Sequence, residues 1–482
     1  MIDLRPVGYV IGLLVAALGA TMVVPLVVDA LDGNGNADAF LQSAVLTVVI
    51  GGLMALACAN SVGRRLTIQQ TFLLTTGVWL ALPIFGAIPF VQGATDASVT
   101  DAFFEAMSGL TTTGSTVLSG LEELPPGLLL WRSMLQWFGG IGIIVVAMVF
   151  LPELRVGGMQ IFRSDAFDTV GKVLPRAAEI ASRISIVYLS LTIFCAAGYL
   201  AVGMSMFDAV NHAMTTIATG GFSTNDGSFS AFPGPAAYVA TLFMVLASLP
   251  FVRYVQLLAG TAVPLWRDSQ IRAFLGVLGS VIALVVVFRV VAGGGEIGLS
   301  LRDVAFNITS IMTGTGYAST DYQLWGGFPV VVVFFSGLIG GCAGSTCCSI
   351  KIFRYQLLIS AISTQIRRIH SPHGIFQLKY DGRTVTEDVV SSVMAFFTIF
   401  LTSIGVLSVL LSATGLDFVT ALSGAATAIA NVGPGLGDQI GPSGNFSGLN
   451  NTAKWLLAAG MLIGRLELLA VFVIFTLRFW RA

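Results

Sequence analysis

The chain has 482 residues, 55% of them hydrophobic and only 10% charged, with a net charge of −1 and a mean hydropathy of +0.87. A soluble protein of this length needs far more surface charge, so long apolar runs have to face lipid. The near-neutral balance provides no field for nucleic acid, and five cysteines with three histidines offer neither a disulfide framework nor a zinc set.

Apolar windows of membrane-spanning length fall near 7–28, 40–60, 70–90, 128–150, 184–204, 236–262, 274–293, 328–350, 392–412 and 454–479. The first exceeds the roughly 7–15 residues of a signal-peptide core and reads as a retained span. Basic residues cluster after every second window: Arg64 and Arg65; Arg155, Arg163, Lys172, Arg176 and Arg183; Arg253, Arg267 and Arg272; Lys351, Arg354, Arg367, Arg368, Lys379 and Arg383; Arg478 and Arg481. The positive-inside rule then places both termini in the cytoplasm.

The connections on the opposite side are too apolar for ordinary loops, and they repeat. They read DAFFEAMSGLTTTGST from Asp101, DAVNHAMTTIATGGFST from Asp208, DVAFNITSIMTGTGYAST from Asp303 and DFVTALSGAATAIANVGPGLG from Asp417. Each runs from an Asp to a glycine, namely Gly114, Gly220, Gly316 and Gly433, which lie 13, 12, 13 and 16 residues further on. Asp suits a helix N-cap. A half-helix of about 15–18 Å follows, which enters a membrane without crossing it. Non-helical backbone beyond it survives at membrane depth only when it lines a watery cavity or is buried in protein. The negative end of each half-helix favours a cation there. Four such strands on one axis offer carbonyl oxygens in place of the hydration shell of a potassium-sized ion.

The expected architecture is an all-α polytopic membrane protein. Four pseudo-symmetric repeats of helix, pore helix, filter strand and helix follow an N-terminal helix pair, giving about ten transmembrane helices and four half-helices. The boundaries read 1–66 for the pair, then 67–180, 181–272, 273–389 and 390–482 for the repeats.

TTTGST, ATGGFST, TGTGYAST and NVGPGLG resemble the four filter segments of the Trk/Ktr/HKT superfamily of potassium transporters, and of its TrkH-type subunit in particular. WRSMLQWFGGIGIIV and GGCAGST carry the same resemblance. It implies a potassium filter made by Thr111, Thr112, Thr113 and Gly114; Ile217, Ala218, Thr219, Gly220 and Gly221; Gly314, Thr315, Gly316 and Tyr317; and Asn431, Val432, Gly433, Pro434 and Gly435. In plant relatives, serine at the first filter glycine goes with sodium preference. Gly114 at that position favours potassium.

The resemblance also implies a gate below the filter. Its parts are an intramembrane loop, Gly340, Gly341, Cys342, Ala343, Gly344, Ser345 and Thr346, and an arginine in the last helix, Arg465. The loop departs from the family's glycine run at Cys347-Cys348-Ser349, which predicts a stiffer segment. Arg465 is conspicuous in its own right. A mid-membrane arginine costs about 2.5–3.5 kcal/mol unless it faces water or a partner. Glu467, two residues on, faces elsewhere. A pore barrier or an ion pair with another helix both fit.

Further implications are a homodimer and a cytosolic Rossmann-type regulatory ring (TrkA-like) that binds NAD and ATP or ADP. The connections 152–183 and 351–390 are its natural docking surfaces. This chain has no Walker motif, nucleophile elbow or HExxH, so no nucleotide is expected on the chain itself and no enzyme activity follows. His212 reads as a packing residue, Glu105 as a lure for cations or a pairing group, and Arg132 as a snorkelling side chain. Gated, channel-like potassium uptake across a bacterial inner membrane is the leading expectation, and proton- or sodium-coupled symport the alternative.

Overall fold

The computed structural model describes residues 2–61, 66–149, 158–159, 173–293 and 296–481. Arg64, Arg65, Arg155, Arg163, Lys172 and most of the 152–172 connection lie outside the described residues.

Helix α1 (Arg5–Thr21) runs into α2 (Val23–Asp32), and α3 (Ala37–Ala57) returns beside them. Gly12 and Gly51 set how close the pair packs. A Cβ on Gly12 would stand 2.6 Å from the Ala55 nitrogen, and one on Gly51 would stand 2.5 Å from that of Ala16. Small residues at helix crossings serve this purpose in lipid, where apolar burial alone does not draw helices together.

Four units follow. The first contains α4 (Ile68–Gly86), α5 (Ile88–Gln92), the half-helix α6 (Val99–Leu110) and α7 (Pro126–Val149). The second contains α8 (Val173–Ala201), the half-helix α9 (Met206–Ile217), α10 (Gly234–Ala247), α11 (Phe251–Leu258) and α12 (Val263–Arg267). The third contains α13 (Ser269–Gly293), the half-helix α14 (Ile297–Thr313), α15 (Gly327–Ser336) and α16 (Ile352–His370). A two-stranded hairpin, β1 (Lys379–Tyr380) and β2 (Arg383–Thr384), leads into the fourth. That unit contains α17 (Glu387–Ala413), the half-helix α18 (Phe418–Ala430), α19 (Asn451–Arg465), α20 (Leu469–Phe472) and α21 (Leu477–Arg481).

The protein is therefore an all-helical membrane protein, but its spans are not ten straight rods. Among the described residues seven are unbroken, while α10–α11 and α19–α20 bend by 88° and 103°. The window at 328–350 yields only the 10-residue α15 and then irregular backbone. Pro250 opens α11, and positive φ at Glu467 and Leu468 ends α19, which sequence hydropathy does not register.

The breaks satisfy one another. Cys342 N–H donates to Ser248 O at 3.0 Å, Phe251 N–H to Gly344 O at 3.0 Å, and Thr346 Oγ1 to Ala247 O at 3.1 Å. Peptide groups freed from a helix at membrane depth need such partners.

The expected Asp N-caps hold only for Asp417, whose carboxylate accepts from Val419 N and Thr420 N at 3.0 and 3.1 Å. Ser98 and Ser205 cap α6 and α9, accepting from Asp101 N and Asp208 N at 3.2 and 3.1 Å. The two aspartates stand at the third helical position and accept the serine hydroxyls in return. Each serine is thus joined to its aspartate twice, through its hydroxyl, without the N-cap backbone bond of a capping box. Asp303 lies inside the longer α14 and pairs with Arg302 at 3.0 Å.

Candidate functional site

All four half-helices end in the same way. The amide of Thr113 donates to Ser108 O at 2.9 Å, Gly220 to Thr215 O at 2.9 Å, Thr315 to Ser310 O at 2.8 Å and Val432 to Thr427 O at 3.1 Å. The residue before each donor is left-handed: Thr112 (φ 51°), Thr219 (49°), Gly314 (75°) and Asn431 (51°). This is a Schellman-type stop, which usually takes Gly or Asn. The β-branched Thr112 and Thr219 hold it under strain, as backbone at functional sites often does.

The residue after each donor is a glycine with positive φ: Gly114 (85°), Gly221 (80°), Gly316 (85°) and Gly433 (108°). The second-unit glycine is thus Gly221, not Gly220 as expected from spacing, and it too lies 13 residues beyond its Asp. The sequence offers two adjacent glycines there, and only the backbone tells them apart.

These glycines form a closed ring. A Cβ on Gly114 would overlap the carbonyl oxygen of Gly220, one on Gly221 that of Thr315, and one on Gly316 that of Val432. One on Gly433 would stand 2.8 Å from the carbonyl oxygen of Thr113, which closes the circuit. Each unit touches the next, and all four glycines line one vestibule of about 190 Å³.

The remaining expected site residues divide around this ring. Thr111, Ala218, Thr112, Thr219, Thr315, Val432 and Asn431 belong to it or its helix ends, whereas Ile217 is still helical. The Tyr317 ring points back into the protein, its hydroxyl 2.5 Å from Thr215 Oγ1, while its carbonyl accepts from Ser310 Oγ at 2.7 Å. Pro434 lines the vestibule beyond the ring, and Gly435 N–H bonds Ile440 O at 2.7 Å.

Side chains of α7 hold the second strand. Gln136 Nε2 donates to Gly220 O at 2.5 Å, and its Oε1 accepts from Phe222 N at 3.0 Å. One turn earlier, Arg132 Nη1 donates to Ser223 O at 2.8 Å. Arg132 does not snorkel: it is buried, paired with buried Glu105 at 2.8 Å and stacked 4.2 Å over Phe222. Glu105 also accepts from Thr116 Oγ1 and Val117 N, both at 2.9 Å, so the pair ties the first strand to the second. His212 is buried between Asp208 O (2.8 Å) and Ser223 Oγ (3.0 Å). Sequence reasoning missed the Gln136 and Arg132 clamp. Its only trace was a polar pair four residues apart within a span.

Gln136→Leu leaves the Gly220 carbonyl and the Phe222 amide each without a partner worth ~1–3 kcal/mol, and should lower the unfolding midpoint of the detergent-solubilised protein. Glu105→Ala leaves Arg132 as a buried, unpaired charge, for which the usual cost is ~3–5 kcal/mol. A thermal unfolding scan of the detergent-solubilised protein should show a clear drop in midpoint.

The segment from Gly340 to Ser349 meets the half-helix ends at its far end, where Ser349 N–H donates to Ala430 O (3.0 Å). Its first part is pinned by Gly340 N–H to Ile350 O (2.9 Å) and Ala343 N–H to Gln270 Oε1 (2.9 Å). Cys347 Sγ bonds Ser248 Oγ at 2.8 Å, and Lys351 Nζ bonds Cys347 O.

Cys348 Sγ lies 3.6 Å from Thr112 Oγ1 and accepts from Arg465 Nη1 at 2.6 Å. Arg465 is not in mid-helix but at the end of α19, buried, with Nη2 donating to Gly139 O at 3.3 Å and its guanidinium 5.7 Å from the Trp79 ring. Among the described residues it has no ion pair, and its Nε has no partner. Glu467 pairs instead with Arg354.

The fold and this ring define a class: a polytopic membrane protein in which four half-membrane helices converge with their carbonyl ends on one axis. Comparison with known proteins narrows the class. The TrkH family model, described as "Cation transport protein", matches residues 36–480. The chain is 42% identical over 478 residues to the Trk system potassium uptake protein TrkI of Halomonas elongata, covering 99% of this chain and 97% of that protein. It is 36% identical over 485 residues to the Trk system potassium uptake protein TrkH of Escherichia coli K12, covering 99% of both. The crystal structure of the potassium transporter TrkH from Vibrio parahaemolyticus superposes with a TM-score of 0.91 at 33% identity over the whole of both chains. The chain belongs to the TrkH family of cation transport proteins, which are transporters rather than enzymes.

Proposed function

We propose that this chain takes up potassium by channel-like conduction through the ring of Gly114, Gly221, Gly316 and Gly433 and the carbonyls between them. The carrying observation is the closed ring of glycine-to-carbonyl contacts made by four helix ends. Four negative helix ends and a circle of carbonyls suit a dehydrated monovalent cation, and they leave space for no side chain that would narrow the path. An inside-negative potential drives entry with ~2.3 kcal/mol per 100 mV.

The 340–346 loop with Cys348 and Arg465 acts as the gate beneath the ring. The sequence boundaries at 66, 180, 272 and 389 divide the chain into its helix pair and four pore repeats. The working form is a homodimer in the bacterial inner membrane with both termini in the cytoplasm. A cytosolic Rossmann-type ring that binds NAD and ATP or ADP controls the gate. Support for that docking comes from α16, which leaves Ile359, Ile362, Ile366 and Ile369 exposed beside Arg367 and Arg368. An apolar stripe at helical spacing on a basic helix suits an amphipathic partner surface.

The test is a voltage-clamped bilayer holding the purified chain. Conduction predicts reversal at the potassium equilibrium potential, unmoved by pH or sodium gradients. A reversal that shifts with either gradient means coupled symport and overturns the proposal.

A further inference from the structure

A second cavity, of about 480 Å³, lies between α1, α4 and α7 and reaches Leu110 at the end of the half-helix α6, while sharing none of the ring glycines. Its wall is almost wholly hydrocarbon, with Val10, Leu18, Val78, Leu82 and Val146 among the lining side chains. The hydroxyls of its two threonines are already used: Thr21 donates to Leu18 O at 2.7 Å, and Thr75 to Thr71 O at 2.8 Å. The rest of the wall is apolar, and apolar cavities of this kind stay dry.

Leu14 and Ala17 are the exposed residues of the lining, Leu14 at 40%, and Leu13, Leu80 and Ile84 of the same helices are exposed as well. These residues belong to spans that sit in hydrocarbon. The α1 wall from Val10 to Thr21 is about 16 Å long at 1.5 Å per residue. That is roughly half of a ~30 Å hydrocarbon core, the depth of one leaflet. Length, composition and the side on which it opens all match one occupant.

We infer that the cavity binds a single acyl chain of a bilayer lipid. The chain enters past Leu14 and ends against Trp79 and Gly139. Those two residues also hold Arg465, through the ring face at 5.7 Å and the carbonyl at 3.3 Å, so the lipid packs directly behind the arginine. The binding site does not depend on how ions cross the ring.

The test uses the full chain in phosphatidylcholine vesicles, with either ordinary acyl chains or chains brominated near their middle. Bromine quenches tryptophan only at close range, and Trp79 is buried inside the helix layer. Its signal is the difference between wild type and Trp79→Phe. Brominated vesicles should quench most of that signal. A Cβ at Gly142 meets only the Trp79 ring, at 3.7 Å, so Gly142→Leu fits and projects into the cavity. It should reduce the quenching several-fold. Ala17→Phe fills the cavity from α1 and serves if Gly142→Leu fails to insert. An unquenched Trp79 in wild type, as when a second subunit covers the mouth, overturns the inference. So does quenching that both filled variants leave unchanged.

Discussion

Gly114→Ser abolishes potassium selectivity and most uptake, the largest effect expected from any single substitution in this chain. Gly114 holds φ at 85°, where an L side chain costs roughly 1–2 kcal/mol. Its Cβ would also overlap the carbonyl oxygen of Gly220, so strand two has to move. That carbonyl is held by Gln136, and moving it breaks the clamp as well as the ring. A loss of ~3 kcal/mol in ion binding corresponds to about a hundredfold. Potassium-limited growth of uptake-deficient cells reads the result directly. Gly276→Ser is the control, since a Cβ there meets nothing within 4 Å. Growth and ion preference equal to wild type for Gly114→Ser would remove this residue from the ion path.

Arg465→Gln raises ion flux tenfold or more in the absence of any activating partner. The guanidinium is buried and lacks a carboxylate partner among the described residues, so its charge is uncompensated by the protein. A unit charge ~6 Å from an ion, at an effective dielectric near 20, opposes it by ~3 kcal/mol. Glutamine keeps a donor for Cys348 Sγ or Gly139 O and removes the charge, which separates electrostatics from packing. Rubidium-tracer uptake into potassium-loaded vesicles measures the change. An unaltered or lower flux would leave Arg465 a structural role only.

Among the described residues the charge has no carboxylate partner. Glu467 is the carboxylate nearest in sequence, yet the turn after α19 carries it to Arg354, at the start of α16. That pair joins the break in the fourth unit to the helix that follows the 340–346 loop. Cys348 links Arg465 to strand one. Cys348, where the resemblance implies a glycine, places a sulfur acceptor on the arginine.

Much of this protein is legible in its residues one at a time. Hydropathy alone gives an all-helical membrane protein, because lipid demands long apolar runs whose peptide groups are satisfied within the helix. The four Asp-to-Gly stretches give four half-helices and the strands after them, because each is a local pattern of helix and stop, although the Asp is the cap only at Asp417. Other features needed the folded chain. Gly221 rather than Gly220 completes the ring, since both glycines satisfy the local pattern and only contact with Thr315 separates them. Arg132 and Gln136 look like polar residues within a span until α7 packs beside strand two. The bend at Ser248–Pro250 takes its partners from the 340–346 loop, whereas the turn at 466–468 bonds its own amides to Leu462, Gly464 and Ile463 and sends Glu467 to Arg354. Sequence specifies what each segment can form alone; which carbonyl meets which glycine, and where a buried charge finds its partner, is decided between segments far apart in the chain.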